Sequence, residues 1–340
     1  MFVIADDLTG AAEIAGIASN NTDGDVTVIA TDTRSLSAAE AKAETLRIIK
    51  KHSLTNSDCL FKKTDSALRG HIIIELEILM KETGFKKCLL LPQNPSKGRI
   101  IKNGKYYINN VPLNETDFCF DPEFPAATAE VAEILAGSRY LPLEGELSEG
   151  INIAEAATVE DIRRQISKTD ENTLLAGAAD LFTEAFTIGQ QFEFLRIDGK
   201  DSRLVIVQGS TQSKDIASTP LFKANNMQLC PMPDDVFDGA DRTDWTKPDN
   251  ICLTIPQKRS NPIWCKTIMA RTVKVTLYGE QKDCILIIEG GATAFAVLQE
   301  LGWTEFELVG QLAQGVVALR HDNTTIILKP GSYPWGKVLG

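Results

Sequence analysis

Residues 2–18 read FVIADDLTGAAEIAGIA, and the parsing of this stretch decides the fold. Phe2, Val3 and Ile4 form a short apolar run suited to a buried strand. Ala11, Ala12, Ile14, Ala15, Ile17 and Ala18 supply a helix whose small-residue face can lie close to a sheet. Between the two stand Asp6, Asp7, Leu8, Thr9 and Gly10, at the carboxyl end of a strand, where open α/β sheets bind ligands. A plainer reading makes Asp7 or Thr9 a helix cap and nothing more.

Working outward, the unit of strand, polar turn and helix recurs. DVTVIATDTRS (25–35) leads into a helix in which Ser37 and Glu40 have capping-box spacing. SDCLFKKTDSALRG (57–70) leads into HIIIELEILMKETG (71–84), which Gly84 closes. FKKCLLLPQNP (85–95) is a strand stopped by Pro92. This rhythm predicts an α/β fold built on a mainly parallel sheet. Residues 98–123 break it with alternating Gly, Asn, Tyr and Ile, which predicts a hairpin or Ω-like excursion. The α/β rhythm then continues through QGSTQSKD (208–215), and a polar, proline-broken stretch follows. The expected organisation is a first domain over 1–218 and a smaller α/β domain over 219–340.

A net charge of −11, from 35 basic and 46 acidic residues, argues against nucleic acid or an anionic membrane as partner. Local clusters of Lys and Arg still allow a small anionic substrate. Seven cysteines without CxxC spacing read as reduced thiols, several inside apolar runs, and point to the cytoplasm. No signal peptide is visible at the start, and no apolar run reaches the ~18–20 residues of a membrane span. The three histidines are scattered, so a His-based metal site is not expected.

Four strand ends carry polar clusters: ADDLTG, TDTRS, KKTDSALRG and VQGSTQSKD. In a parallel sheet they share one edge, and the turns 6–10, 31–35, 63–70 and 209–214 are expected to line one cleft. Lys63, Asp65, Ser66 and Arg69 offer two cations, an anion and a hydroxyl, with Arg69 able to fork onto a carboxylate. Farther on, CILIIEGGATAFAVL places Gly290 and Gly291 between a strand and a helix, so free backbone N–H groups can receive phosphate oxygens. Neither GxxxxGK[ST] nor a GxGxxG after the first strand is present. Adjacent Asp6 and Asp7, instead of two Asp separated by one residue, exclude a phosphatase of the haloacid dehalogenase type.

Six blocks in order, DDLTGA, TDTRS, KKTDSALRG, GKYYINNVPLNETDFCFDPEFP, QGSTQSKD and GGATAFAVLQELG, resemble the four-carbon acid sugar kinase family. The resemblance implies a substrate-binding N-terminal domain and a nucleotide-binding C-terminal domain. It also implies ATP- and Mg²⁺-dependent phosphorylation of threonate, erythronate or a 2-oxo-tetronate at the terminal hydroxyl. Asp6, Thr9, Arg34, Lys63, Ser66 and Arg69 are then the expected contacts to the acid. Asp7 and Asp65 are the candidate acceptors of the hydroxyl proton. Ser210, Gly290, Gly291, Thr293, Gly331 and Ser332 are the expected nucleotide contacts, and a homodimer is allowed. The tail LKPGSYPWG (328–336) matches the family's glycine-rich loop loosely, and the chain is shorter than typical members. A sugar-acid-binding regulator with a reduced or lost ATP site is therefore the second reading.

Overall fold

A computed structural model gives the fold. It describes all residues except 20–21, 23–24, 57, 122, 188–193, 196–201, 210–225, 233–249, 256–261, 280–281, 314 and 332–340. The chain divides into two compact units, Met1–Gln191 and Phe192–Gly340.

The first unit contains, in chain order, β1 (Phe2–Ala5), β2 (Thr27–Ala30), β3 (Leu60–Lys63), β4 (Lys87–Leu91), β5 (Arg99–Lys102), β6 (Lys105–Ile108), β7 (Val111–Pro112), β8 (Arg139–Leu141), β9 (Gly150–Ala154) and β10 (Thr173–Gly177). Seven of these form one sheet in the order β2-β1-β3-β10-β4-β9-β8, every pair parallel. Strand alternation sorts their side chains onto two faces. Ile4, Leu60, Leu90 and Leu174 pack with Ile48 and Ile49 of α2 (Ala38–His52) and with Leu76 and Leu79 of α3 (Ile72–Thr83). Val3, Phe61, Leu89 and Leu91 pack on the other face with Ile14 and Ile17 of α1 (Leu8–Ala18) and with Phe182. Ser37 and Glu40 form the expected capping box, and Gly84 ends α3 in the left-handed region at φ 95°. The excursion over 98–123 is a three-stranded antiparallel sheet, β5-β6-β7, whose Ile101 and Tyr106 are wholly buried in the first core.

The second unit holds β11 (Arg203–Gln208), β12 (Gln228–Pro231), β13 (Ile251–Thr254), β14 (Cys284–Glu289), β15 (Glu307–Ala313), β16 (Val316–His321) and β17 (Thr324–Lys329). Their order is β12-β13-β11-β14-β17-β16-β15, parallel up to β17 and antiparallel beyond it. β11 lies between β13 and β14, bonded to both. The expected boundary at 218/219 is therefore corrected to one before β11. The apolar run of β11 continues the rhythm of the first unit in sequence, but its hydrogen bonds belong to the second. No helix among the described residues is long and apolar enough to cross a membrane, and all seven cysteines are free.

Candidate functional site

The site of the first unit is built on the carboxyl ends of β1, β2 and β3. Asp7 adopts an extended conformation and caps α1, its Oδ1 accepting from the Gly10 amide at 2.7 Å. Its Oδ2 accepts from the Thr9 hydroxyl at 2.7 Å and from Arg34 Nη2. Asp7 thus serves as cap and as site residue at once. Gly10 is required by this closeness: a Cβ there would lie 2.5 Å from Asp7 Oδ1 and 3.2 Å from Lys63 Nζ. Gly10→Ala is therefore expected to lower the melting temperature, although Ala gains about 1 kcal/mol over Gly in helix propensity. Loss of the Asp7 cap costs about 0.5–2 kcal/mol, and the displaced Lys63 adds to it. A thermal melt decides the sign, and a stabilised variant would overturn this account.

After β2, Thr31 returns its amide and hydroxyl to the Ala5 carbonyl at 3.0 and 2.9 Å. Asp32 turns the chain at φ 52°, which brings Arg34 back over β1. Arg34 Nη1 donates to Asp65 Oδ1 at 2.7 Å and lies 3.9 Å from Asp6 Oδ2. Asp65 sits at the end of β3 and accepts from the Ala67 and Arg69 amides at 2.9 and 3.2 Å. Arg69 forks onto it through Nε and Nη2 at 3.0 and 2.9 Å, and reaches Asp121 Oδ2 with Nη1 at 3.2 Å.

The two lysines of β3 diverge as strand alternation requires. Lys62 pairs with Glu75 of α3 at 2.7 Å, and Thr33 donates to the same carboxylate at 3.0 Å. Lys63 donates to the Thr64 carbonyl at 2.9 Å and lies 4.0 Å from Glu13. Glu13 also pairs with Lys97 at 2.5 Å. Ser66 is held by the excursion: Arg99 donates to its hydroxyl and the Tyr106 hydroxyl to its carbonyl.

These contacts separate the three aspartates chemically. Burial acts to raise the Asp65 carboxyl, but Arg69 and Arg34 hold it well below the ordinary carboxylate range. Asp7 is also held low against burial, by Arg34, Lys63 and the Thr9 hydroxyl. Asp6 differs. The residue is buried at 2% exposure, and among the described residues neither carboxylate oxygen has a hydrogen-bond partner. Burial, reinforced by Asp7 and opposed by Arg34, pushes it up to about 6.

In the second unit, β14 ends at Glu289 and the helix Gly291–Leu301 begins at once. Gly290 stands between them at φ 99° and, as a glycine, gives the helix start no capping side chain of its own. Gly209, at the end of β11, packs so closely on Thr293 that an added Cβ would lie 2.0 Å from its hydroxyl oxygen. Glu289 and Lys329 face each other across β14 and β17 and form an ion pair, at 0% and 1% exposure.

A family model described as a sugar-binding N-terminal domain matches residues 1–184, and one described as a nucleotide-binding C-terminal domain matches residues 257–333. The chain belongs to the four-carbon acid sugar kinase family. It is 30% identical over 219 residues to a D-threonate kinase of Salmonella typhimurium, an alignment covering 53% of this chain and 52% of that protein. The chain thus matches about half the length of that relative. It is 24% identical over 401 aligned positions to a 3-oxo-tetronate kinase of Brucella melitensis, covering 97% of this chain and 92% of the other. The fold is shared with a Haemophilus influenzae protein of known crystal structure, at a TM-score of 0.65 and 17% identity, covering 98% and 97% of the two chains. The oxo acid in the Brucella name carries its ketone at C3, whereas the resemblance suggested a 2-oxo-tetronate.

Within this family fold, the turns 6–10, 31–35 and 63–70 come together as expected, and Asp7, Arg34, Asp65 and Arg69 form one ionic network. The fourth expected turn, 209–214, is part of the second unit. It follows β11 of the second, and residues 210–214, Ser210 included, lie outside the described residues, as does Ser332. Gly290, Gly291 and Thr293 share one strand-to-helix turn, and Gly331 follows β17. The sequence reading missed Glu13, Glu75, Arg99, Tyr106, Asp121, Glu289 and Lys329. Glu289 and Lys329 carried a usable signal, a charged residue ending an apolar run at each of two strands.

Proposed function

We propose that the chain transfers the γ-phosphoryl group of ATP to the terminal hydroxyl of a four-carbon sugar acid. Family membership supports the substrate class, and the names of the relatives, threonate and 3-oxo-tetronate kinases, support the choice of acids. The observation that carries the chemistry is Asp6, a buried carboxylate with no donor on either oxygen. Such a group is short of a hydrogen-bond partner, and a substrate hydroxyl supplies one. The substrate oxygen bonds to the γ-phosphorus, the bond from that phosphorus to the β–γ bridging oxygen breaks, and ADP leaves. The hydroxyl proton passes to Asp6. Asp7 and Asp65, the acceptors suggested by sequence, instead orient the turns, because Arg34 and Arg69 hold their lone pairs and depress their basicity.

ATP is assigned to the second unit, where Gly290 and Gly291 open a helix whose first N–H groups can receive phosphate oxygens. Mg²⁺ bound with the nucleotide would neutralise phosphate charge. Magnesium in kinases uses one or two carboxylates together with substrate phosphates, so a larger acidic cluster is not needed. Among the described residues no group of three or more His, Cys, Asp or Glu could hold a metal. Seven free thiols and the need for ATP support a cytoplasmic reaction.

A coupled ADP-release assay across threonate, erythronate and the oxo-tetronates, with and without Mg²⁺, tests this reading. Gly291→Val serves as its control: a branched side chain in the turn is expected to abolish ATP binding and leave acid binding nearly intact. ADP release with none of these acids, or a folded Gly291→Val protein with normal ATP affinity, would count against it. Acid binding without ATP affinity at millimolar nucleotide would instead favour the regulator.

A further inference from the structure

The cations tied to this site by hydrogen bonds or ion pairs are already answered by protein anions. Arg34 is shared among Asp7, Asp65 and the nearby Asp6, and Arg69 between Asp65 and Asp121. Lys63 and Lys97 both face Glu13, and Lys62 faces Glu75. Arg99 is the exception. It is half-buried, it donates to the Ser66 hydroxyl, and its guanidinium lies 5.8 Å from the Phe118 ring centre. Among the described residues it has no carboxylate partner.

A guanidinium carries five N–H donors in a planar fork, and a partly desolvated one without an anion is costly. Its position is fixed from several sides. The Arg99 amide bonds the Asn94 carbonyl at 3.0 Å, and Tyr106 clamps the Ser66 backbone. The same Phe118 ring lies 5.3 Å from the neutralised Arg69 guanidinium, so the ring stands between a satisfied cation and an unsatisfied one. Ser66 follows Asp65 directly, and the Asp65–Arg34–Asp7 contacts lead from there to Asp6.

We infer that Arg99, positioned by Ser66, binds the carboxylate of the sugar acid. The inference rests on the sugar-acid reading above. It moves the carboxylate contact from Arg34, Lys63 and Arg69, where the sequence suggested it, to the one arginine of this cluster left without an anion. With the acid group held at Arg99, the other end of the substrate is the one available to Asp6.

Isothermal calorimetry without nucleotide tests this, with D-threonate, D-erythronate and the neutral carboxamide of threonate as probes. Arg99→Gln is expected to weaken binding of the acids about 30-fold or more, since truncating one partner of a charge pair typically costs that much. Its affinity for the carboxamide should stay within about twofold of the unmutated protein, a pattern that a general loss of structure does not give. Arg99→Lys should recover part of the loss, since it keeps the charge and loses the fork. Ser66→Ala, which keeps Arg99 and removes its anchor, should give a smaller loss confined to the acids, and it keeps the question open to test if Arg99→Gln does not fold. Unchanged affinity of Arg99→Gln for an acid that the unmutated protein binds would overturn the role of Arg99 alone. Failure of the unmutated protein to bind either acid would overturn the sugar-acid reading, and this inference with it.

Discussion

Asp6→Asn is expected to lower kcat by about 10²–10⁴-fold, the range for loss of a general base, with a much smaller change in acid affinity. With Asp6 as the proposed base, kcat/KM of the unmutated protein should rise with pH through about 6, because a carboxylate accepts a proton only when ionised. The same residue gives a second, opposite signature in stability. Burial pushes its carboxyl up to about 6 in the folded protein, above the ordinary aspartate value of 3.8. The stability linked to its protonated form is therefore full below the lower value and lost as pH rises through the upper one. Asp6→Asn removes that loss and should melt higher than the unmutated protein above pH 6, while being nearly inactive. Loss of activity together with loss of stability at pH 7–8 would mean that Asp6 supports the fold and is not held ready for a proton.

Lys329→Met should destabilise the second unit by about 3–5 kcal/mol, the usual cost of stripping one partner from a buried ion pair. Glu289 and Lys329 occupy adjacent strands at the ends that flank the Gly290 turn, and both are fully buried. The double variant Glu289→Gln with Lys329→Met should regain much of the stability, since removing both charges also removes the burial penalty. Denaturant unfolding followed by tryptophan fluorescence reports on the second unit, which holds all four tryptophans. A single variant as stable as the parent would show that water reaches the pair.

Much of the first unit was legible from sequence because its signals are local. Ser37 with Glu40, Gly84 after α3 and the β1–Asp6–Asp7–α1 passage each announce themselves within a few residues. What local reading does not carry is long-range pairing. β11 resembles the strands before it, and only its hydrogen bonds to β13 and β14 assign it to the second sheet. The roles of the aspartates were hidden for the same reason. Asp6 and Asp7 are chemical twins in the sequence, and their difference comes from Arg34, Thr9 and Gly10 converging on one of them. Arg99 gave no signal, because an arginine opening a hairpin is ordinary until its neighbours are known to be paired.

The place of β10 imposes an order on the making of the molecule. It comes last among the strands of the first unit yet sits between β3 and β4, near the middle of the sheet. A growing chain that has reached residue 172 carries two open strand edges where β10 will insert, each able to pair with a stranger. The turn that positions Asp65 waits on the same event, since the Thr64 amide bonds the carbonyl of Gly177 at 2.9 Å. In the native fold, closing the sheet with β10 and fixing the turn that carries Asp65 thus depend on the same strand, and a chain without it leaves two edges open to mispairing.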